Sequence, residues 1–373
     1  MVAISRKNVL PDKQTRAYEL LELAAIFGEF PTTLLWRLSG SASYKETVVT
    51  NLKKQGLIKT YYKDGRRGLR PTTTAKRLLL ADNPERFSAY MSENADTNHI
   101  RSEPHRRERL YRIAETTLTM RNAGISVYRD EHPSILSPIL EEDDHTQPPL
   151  FYSSREIREM GIEFFKTKGA RYVGVLLTSE NAFVTYNLGN GLIKWAYKSE
   201  MRTKAVLERL LCIDRLSARY STESIKGLVL GNSMELAFEI LKKGRQHYLI
   251  LDGNYENFYF VTNDEKGEML LRLLCRPDLC DELDEILTDD LYSARKGALI
   301  DHDAVTEDGR YVLLAYKCDL NRIRKFDTAL TLQQKTGIII CFDYQADVLR
   351  RYCGDAVEFQ TMDFEKTERR FFS

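Results

Sequence analysis

Glycine placement in the first 80 residues constrains this chain more than any other feature. Gly28, Gly40, Gly56, Gly65 and Gly68 divide that stretch into short segments with different side-chain periods. In TRAYELLELAAIFGEF, Leu20, Leu21, Leu23, Ala24 and Phe27 recur at helical spacing, and the pattern stops at Gly28. Pro31-Thr32-Thr33 opens a second short helix carrying Leu34, Leu35 and Leu38, which ends at Ser39-Gly40. A third helix starts where the hydroxyls of Ser41 to Ser43 can cap it and runs to Lys54. Gly56 then stands where a left-handed C-cap is needed. LIKTYYK alternates as a strand, Asp64-Gly65-Arg66-Arg67-Gly68 reads as a hairpin tip, and LRPTTTAKRLLLA returns as a strand running into a helix.

Helix, helix, helix, hairpin is the order of a winged helix-turn-helix, which the sequence predicts over residues 1–82. The third helix offers Ser43, Tyr44, Lys45, Thr47, Thr50, Asn51 and Lys54, donors and acceptors of the kind that read a major groove. The wing carries Lys63, Arg66, Arg67 and Arg70, long cations suited to phosphates. Charge agrees with this expectation. Residues 1–80 hold 15 Lys and Arg against 6 Asp and Glu, residues 81–130 hold 8 of each, and the remainder holds 32 against 40. A basic first block beside an acidic remainder predicts a polyanionic partner, duplex DNA, for that block alone. A winged helix serving only as a protein-interaction module is the alternative.

Residues 83–104 read as a polar linker and 104–123 as a long helix, with His105, Arg106, Arg107, Arg109 and Arg112 on its exposed face. An acidic loop (131–150) closes this connecting region, 83–150. Over 151–245 the expected order is a helix at 153–168, strands ARYVGVLLT, AFVTYNL and LIKWAYK, a helix SEMRTKAVLERLLC, strand KGLVLG and a further helix. That order matches a restriction-endonuclease-like core. Metal-dependent cleavage there needs an Asp on one strand and Glu-x-Lys on the next, because carboxylates hold Mg²⁺ and the lysine steadies the attacking water. The strands hold no Asp, Glu180 lies at a turn, and Lys198-Ser199-Glu200 runs in the wrong order. The core is therefore expected to be degenerate and non-catalytic, with no metal and no cofactor.

Residues 246–373 alternate apolar strands (HYLILD, NFYFVT, RYVLLAYKCD, GIIICFD) with helices, an α/β pattern. Asp252, Asp319 and Asp343 end three of those strands; they could form a metal site, although capping the following helix is the expected role. Arg322, Arg324, Arg350 and Arg351 are expected to pair with nearby acids. No GxxxxGK[ST], GxGxxG, GxSxG or HExxH occurs, nor an HxH cluster. Six cysteines without CxxC spacing predict reduced thiols and a cytoplasmic protein. No run approaches 18 apolar residues, so no membrane partner is expected.

These segments together resemble the replication-relaxation proteins of plasmids and integrative conjugative elements of Gram-positive bacteria, the clostridial type in particular. The winged helix ending RPTTTAKRLL, the helix HRRERLYRIAETTLTMRNAGI, and SSREIREMG, YVGVLL, IKWAYKSEMRTKA, CDLNRIRKF and ICFDYQADVLRRYCG carry the resemblance. It implies recognition of element DNA at an origin of transfer or replication. The chain departs from that pattern where acids would stand on the core strands, which leaves DNA binding as the transferable function. The expectation is thus an α+β and α/β chain whose first domain binds duplex DNA. The remainder would dimerise or recruit a relaxase or other processing enzyme. Control of the element's own transcription is one alternative, and a divergent nuclease using Asp252, Asp319 or Asp343 another.

Overall fold

The computed structural model describes residues 9–91, 97–98, 103–135, 149–159, 170–242, 248–251, 253–294 and 297–372. They fall into two compact units, one of residues 1–118 with 128–132 and one of residues 119–127 with 133–373.

In the first unit, α1 (Arg16–Phe27) is capped by the Thr15 hydroxyl, which accepts from the Tyr18 N–H at 3.3 Å. Gly28, at φ 71°, ends it. All five expected apolar positions are buried, and so are Ala25 and Ile26, so this helix forms the middle of the unit rather than one side of it. After β1 (Phe30–Pro31) the expected short helix is a 3₁₀ turn, Thr32–Arg37. The helix α2 (Ala42–Lys54) begins at Ser41, whose Oγ accepts from the Tyr44 N–H. It ends as the sequence predicts: the Gly56 N–H donates to the Lys53 carbonyl and the Leu57 N–H to that of Leu52, with Gly56 at φ 74°.

The strands β2 (Ile58–Lys63) and β3 (Arg66–Pro71) pair antiparallel around Asp64 and Gly65, both at positive φ, the backbone of a tight two-residue hairpin. With β1 they form a sheet ordered β1-β3-β2. Thr72 caps α3 (Thr73–Asp82) through a bond from the Ala75 N–H. The expected linker is in part a helix, α4 (Pro84–Met91), which buries Phe87 and Tyr90. Its Arg86 binds Glu22 at 2.6 Å, Asp130 at 2.6 Å and Glu131 at 2.8 Å, so this compact unit continues past residue 82. The long helix α5 (Pro104–Asn122) supplies this unit up to Leu118.

Two five-stranded mixed sheets build the second unit. The first is ordered β4 (Leu150–Ser153), β5 (Gly174–Leu177), β6 (Ala182–Asn187), β7 (Ile225–Gly231), β8 (Phe258–Thr262), with α6 (Ser154–Glu159) following β4. Its first two pairings are antiparallel and its last two parallel. The helix α7 (Tyr197–Glu208), continued by a π-helical turn Arg209–Arg215, connects β6 to β7, and α8 (Glu235–Leu241) follows β7. LIKWAYK is not a strand; it makes a single bridge, Lys194 to Tyr248, before α7 begins. Because β8 belongs to this sheet, the sheet reaches beyond residue 245. The helix expected over 153–168 is described only as α6; residues 160–169 lie outside the described part, as do 136–148 of the acidic loop.

The stretch EMLLRLLCRPDLCDELDEIL lies across two helices, α9 (Glu265–Leu274) and α10 (Pro277–Thr288), separated where Pro277 starts a new first turn. The second sheet, ordered β13-β12-β11-β10-β9, has β9 (Tyr292–Ser293), β10 (Ala304–Val305), β11 (Tyr311–Leu314), β12 (Gly337–Phe342) and β13 (Val357–Met362). Its last three strands run parallel, interleaved with α11 (Leu320–Gln333) and α12 (Asp343–Tyr352), and α13 (Phe364–Phe372) follows β13. One apolar core joins both sheets, with Val184, Val229 and Phe260 from the first and Leu313 and Ile339 from the second. All six cysteines are free thiols; burial pushes Cys275 and Cys341 up to about 12. Among the described residues no helix is long and apolar enough to cross a membrane.

Candidate nucleic-acid interface

A helix turns about 100° per residue, so Ser43, Thr47, Thr50 and Lys54 of α2 stack in one row and Tyr44 and Asn51 in the next. All six are exposed, while Val48 and Leu52 on the opposite side are buried. Packing of one side therefore presents the other as a polar strip. Gly40, at φ 103°, brings its backbone against the Tyr44 ring; a Cβ there would stand 2.9 Å from Cδ1. The Thr47 hydroxyl donates to the Ser43 carbonyl at 2.9 Å.

Lys45 departs from its expected place. It lies on the buried side, and its ammonium donates to the carbonyls of Trp36 (3.1 Å) and Leu38 (3.0 Å). Those carbonyls end the 3₁₀ turn and have no partner within it, so the lysine acts as its C-terminal cap. Its charge fixes α2 against the preceding turn rather than facing outward.

The hairpin divides its cations in the same way. Lys63 and Arg67 are exposed, and Arg66 is half-buried with its guanidinium 3.7 Å from Glu108. Arg70 is turned inward: its Nε donates to Glu29 Oε2 at 2.7 Å and its guanidinium lies 3.5 Å from the Tyr61 ring centre. Arg107, expected on an exposed helix face, is 1% exposed. Its fork donates to the carbonyls of Lys63 (2.8 Å) and Arg66 (3.1 Å) and to Glu29. Glu29 is wholly buried and also accepts from the Tyr111 hydroxyl. Burial pushes the Glu29 carboxyl up, but the bonds from Arg107, Tyr111 and Arg70 outweigh it and hold it below the usual carboxylate range. Tyr111 is raised, by burial first and then by its bond to Glu29. Sequence spacing gave no sign of this network, because its members lie up to 82 residues apart.

Sequence reasoning also passed over exposed side chains of this unit. Tyr62, 69% exposed, is the cross-strand partner of Arg67. Lys53 and Lys59 are exposed as well, and the alternation of LIKTYYK and the helical count from Ser41 were signal enough to find them.

In the second unit, β5 and β6 carry no carboxylate, and Glu180 lies between them. Lys198, Ser199 and Glu200 are helical, and the buried Glu200 accepts from the Arg171 N–H at 2.9 Å. Asp319 caps α11, accepting from the N–H groups of Asn321 and Arg322, and also takes bonds from the Phe258 N–H and the Asn257 amide. Asp343 starts α12 and accepts from the Tyr344 N–H at 2.7 Å, and Asp252 lies outside the described residues. Arg322 pairs with Asp301 and Asp303, and Arg351 with Glu235, while Arg350 rests on Phe359 and Arg324 donates to the Leu251 carbonyl. No group of three or more His, Cys, Asp or Glu side chains poised to hold a metal ion occurs among the described residues. Comparison with protein-family profiles, curated proteins and solved structures finds no match.

Proposed function

We propose that the first unit is a winged helix-turn-helix that binds duplex DNA. In this reading α2 is the recognition helix and the hairpin β2–β3 is the wing. The observation that carries it is the exposed strip of α2, where six polar or aromatic side chains stand together on one face. Tyr44, Asn51 and the three hydroxyl residues have the donors and acceptors for base edges. Lys54, Lys63, Arg66 and Arg67 supply cations for phosphates. The full chain then acts as a non-catalytic accessory protein of a mobile element, recognising an origin of transfer or replication. The second unit, a degenerate nuclease-like core with a further α/β sheet, serves to dimerise or to recruit a relaxase or other processing enzyme.

Selection of bound sites from a random duplex library, followed by footprinting on element DNA, tests this reading. Enrichment of one motif, protected at an origin, supports it. Protection at the element's own promoter would make the protein a transcription regulator. No enrichment over random sequence would sink the reading. Labelled origin DNA incubated with Mg²⁺ or Mn²⁺ should stay intact, and cleavage lost on Asp319→Ala or Asp343→Ala would replace the accessory role with a nuclease.

A further inference from the structure

In the second unit acidic side chains exceed basic ones, and many described cations are paired with them: Lys317 with Asp284, Arg322 with Asp301, Arg310 with Glu358, Arg351 with Glu235. One stretch differs. Residues 181–207 hold four cations, of which Lys204 pairs with Glu208, and a single acid, Glu200. Glu200 is fully buried and contributes nothing to the exterior. Lys194, Lys198 and Arg202 are exposed and carry no ion pair among the described residues. Arg171, also exposed and unpaired, is held to the same helix by the bond from its N–H to Glu200.

Large apolar groups stand among these charges. Tyr197 is 48% exposed and Met201 46%. On α7, Tyr197 and Met201 form one i, i+4 row, and Lys198 and Arg202 form the next row beside it. A flat ring next to a row of unneutralised cations is the chemistry of a stacking platform with phosphate contacts.

We propose that this face of α7 binds single-stranded polynucleotide. Phosphates would lie along Lys198, Arg202 and the flanking Lys194 and Arg171, and a base would stack on Tyr197. Duplex DNA satisfies the cations but buries its base faces in its own stack, leaving the ring unused. Single strands present both. The reading is independent of the duplex site on the first unit.

The test uses the full chain and a short fluorescein-labelled oligothymidylate, followed by anisotropy across a salt series. Lys198→Ala/Arg202→Ala should weaken binding and lower the slope of log K against log salt by about 1.4, the loss of two single-strand phosphate contacts. Tyr197→Ala should weaken it roughly tenfold while Tyr197→Phe retains it, since stacking needs the ring and not the hydroxyl. Affinity for a duplex should stay unchanged in all three variants. The proposal is overturned if wild-type protein does not bind the oligothymidylate or if Lys198→Ala/Arg202→Ala and Tyr197→Ala bind it as well as wild type does. It is also overturned if duplex affinity falls in parallel, or if polyglutamate competes as effectively as the oligonucleotide, which would point to an acidic protein instead.

Discussion

At the residue scale, what decides the role of a cation is whether a local carbonyl or carboxylate claims it. Lys45, Arg70 and Arg107 are as basic as Lys54 and Arg67, yet each is committed to the interior. Glu29 joins β3 to α5 through Arg70 and Arg107, and Arg107 grips the backbone on both sides of the hairpin turn. Breaking a buried ion pair by removing one partner costs about 3–5 kcal/mol, because the other charge stays buried without compensation. Glu29→Gln should therefore lower unfolding stability by that order in urea titrations, and an unchanged midpoint would refute the network. The depressed carboxyl also fixes a pH sign. Its stabilisation is complete above the unfolded value of about 4.3 and is lost as pH falls through its lower folded value. Wild-type stability should drop more steeply than that of Glu29→Gln below about pH 4, measured by thermal unfolding over an acid series.

At the element scale, glycine carries the hairpin in two different ways. Gly65 sits at φ 73° with nothing near a would-be Cβ, so Gly65→Ala should cost only about 1 kcal/mol of backbone strain. Gly68 is buried, and a Cβ there would stand 2.2 Å from Glu29 Oε1. Gly68→Ala should cost several-fold more, since it displaces a buried, triply bonded carboxylate. Equal melting shifts for the two variants would contradict this packing. The turn was legible in Asp64-Gly65 and the end of α2 in Gly56, because local backbone conformation determines both. Other elements were not. LIKWAYK has strand-like alternation, but its final residues belong to α7. The strand β4 is four residues long after Pro149, and only its pairing with β5 makes it a strand. Polar composition hid α4, which buries Phe87 and Tyr90 and packs against α1. Partners on other elements turn Lys45, Arg70 and Arg107 inward too, so the exposed side of α2 was legible in the sequence while these three charges were misplaced.

At the scale of the whole molecule, the two ends of the chain differ in what their charge is for. Residues 1–80 carry an excess of nine cations, and Lys53, Lys54, Lys59 and Arg67 of these are exposed without an ion pair among the described residues. The acidic remainder pairs many of its own cations at the surface, among them Arg276, Arg310, Arg351 and Arg369, each pair worth little to stability. Long-range attraction of a polyanion should accordingly depend on the first block and weaken steeply with salt. Duplex affinity of the full chain across a salt series decides whether α2 and its hairpin bind duplex DNA. Arg66→Ala/Arg67→Ala should bind every duplex more weakly, with a slope of log K against log salt reduced by about 1.8, since each lost phosphate contact removes about 0.9. Asn51→Ala should change the sequence preference and keep the salt slope. Unchanged affinity and slope in the double variant, together with unchanged preference in Asn51→Ala, would rule out α2 and its hairpin as the DNA-binding surface.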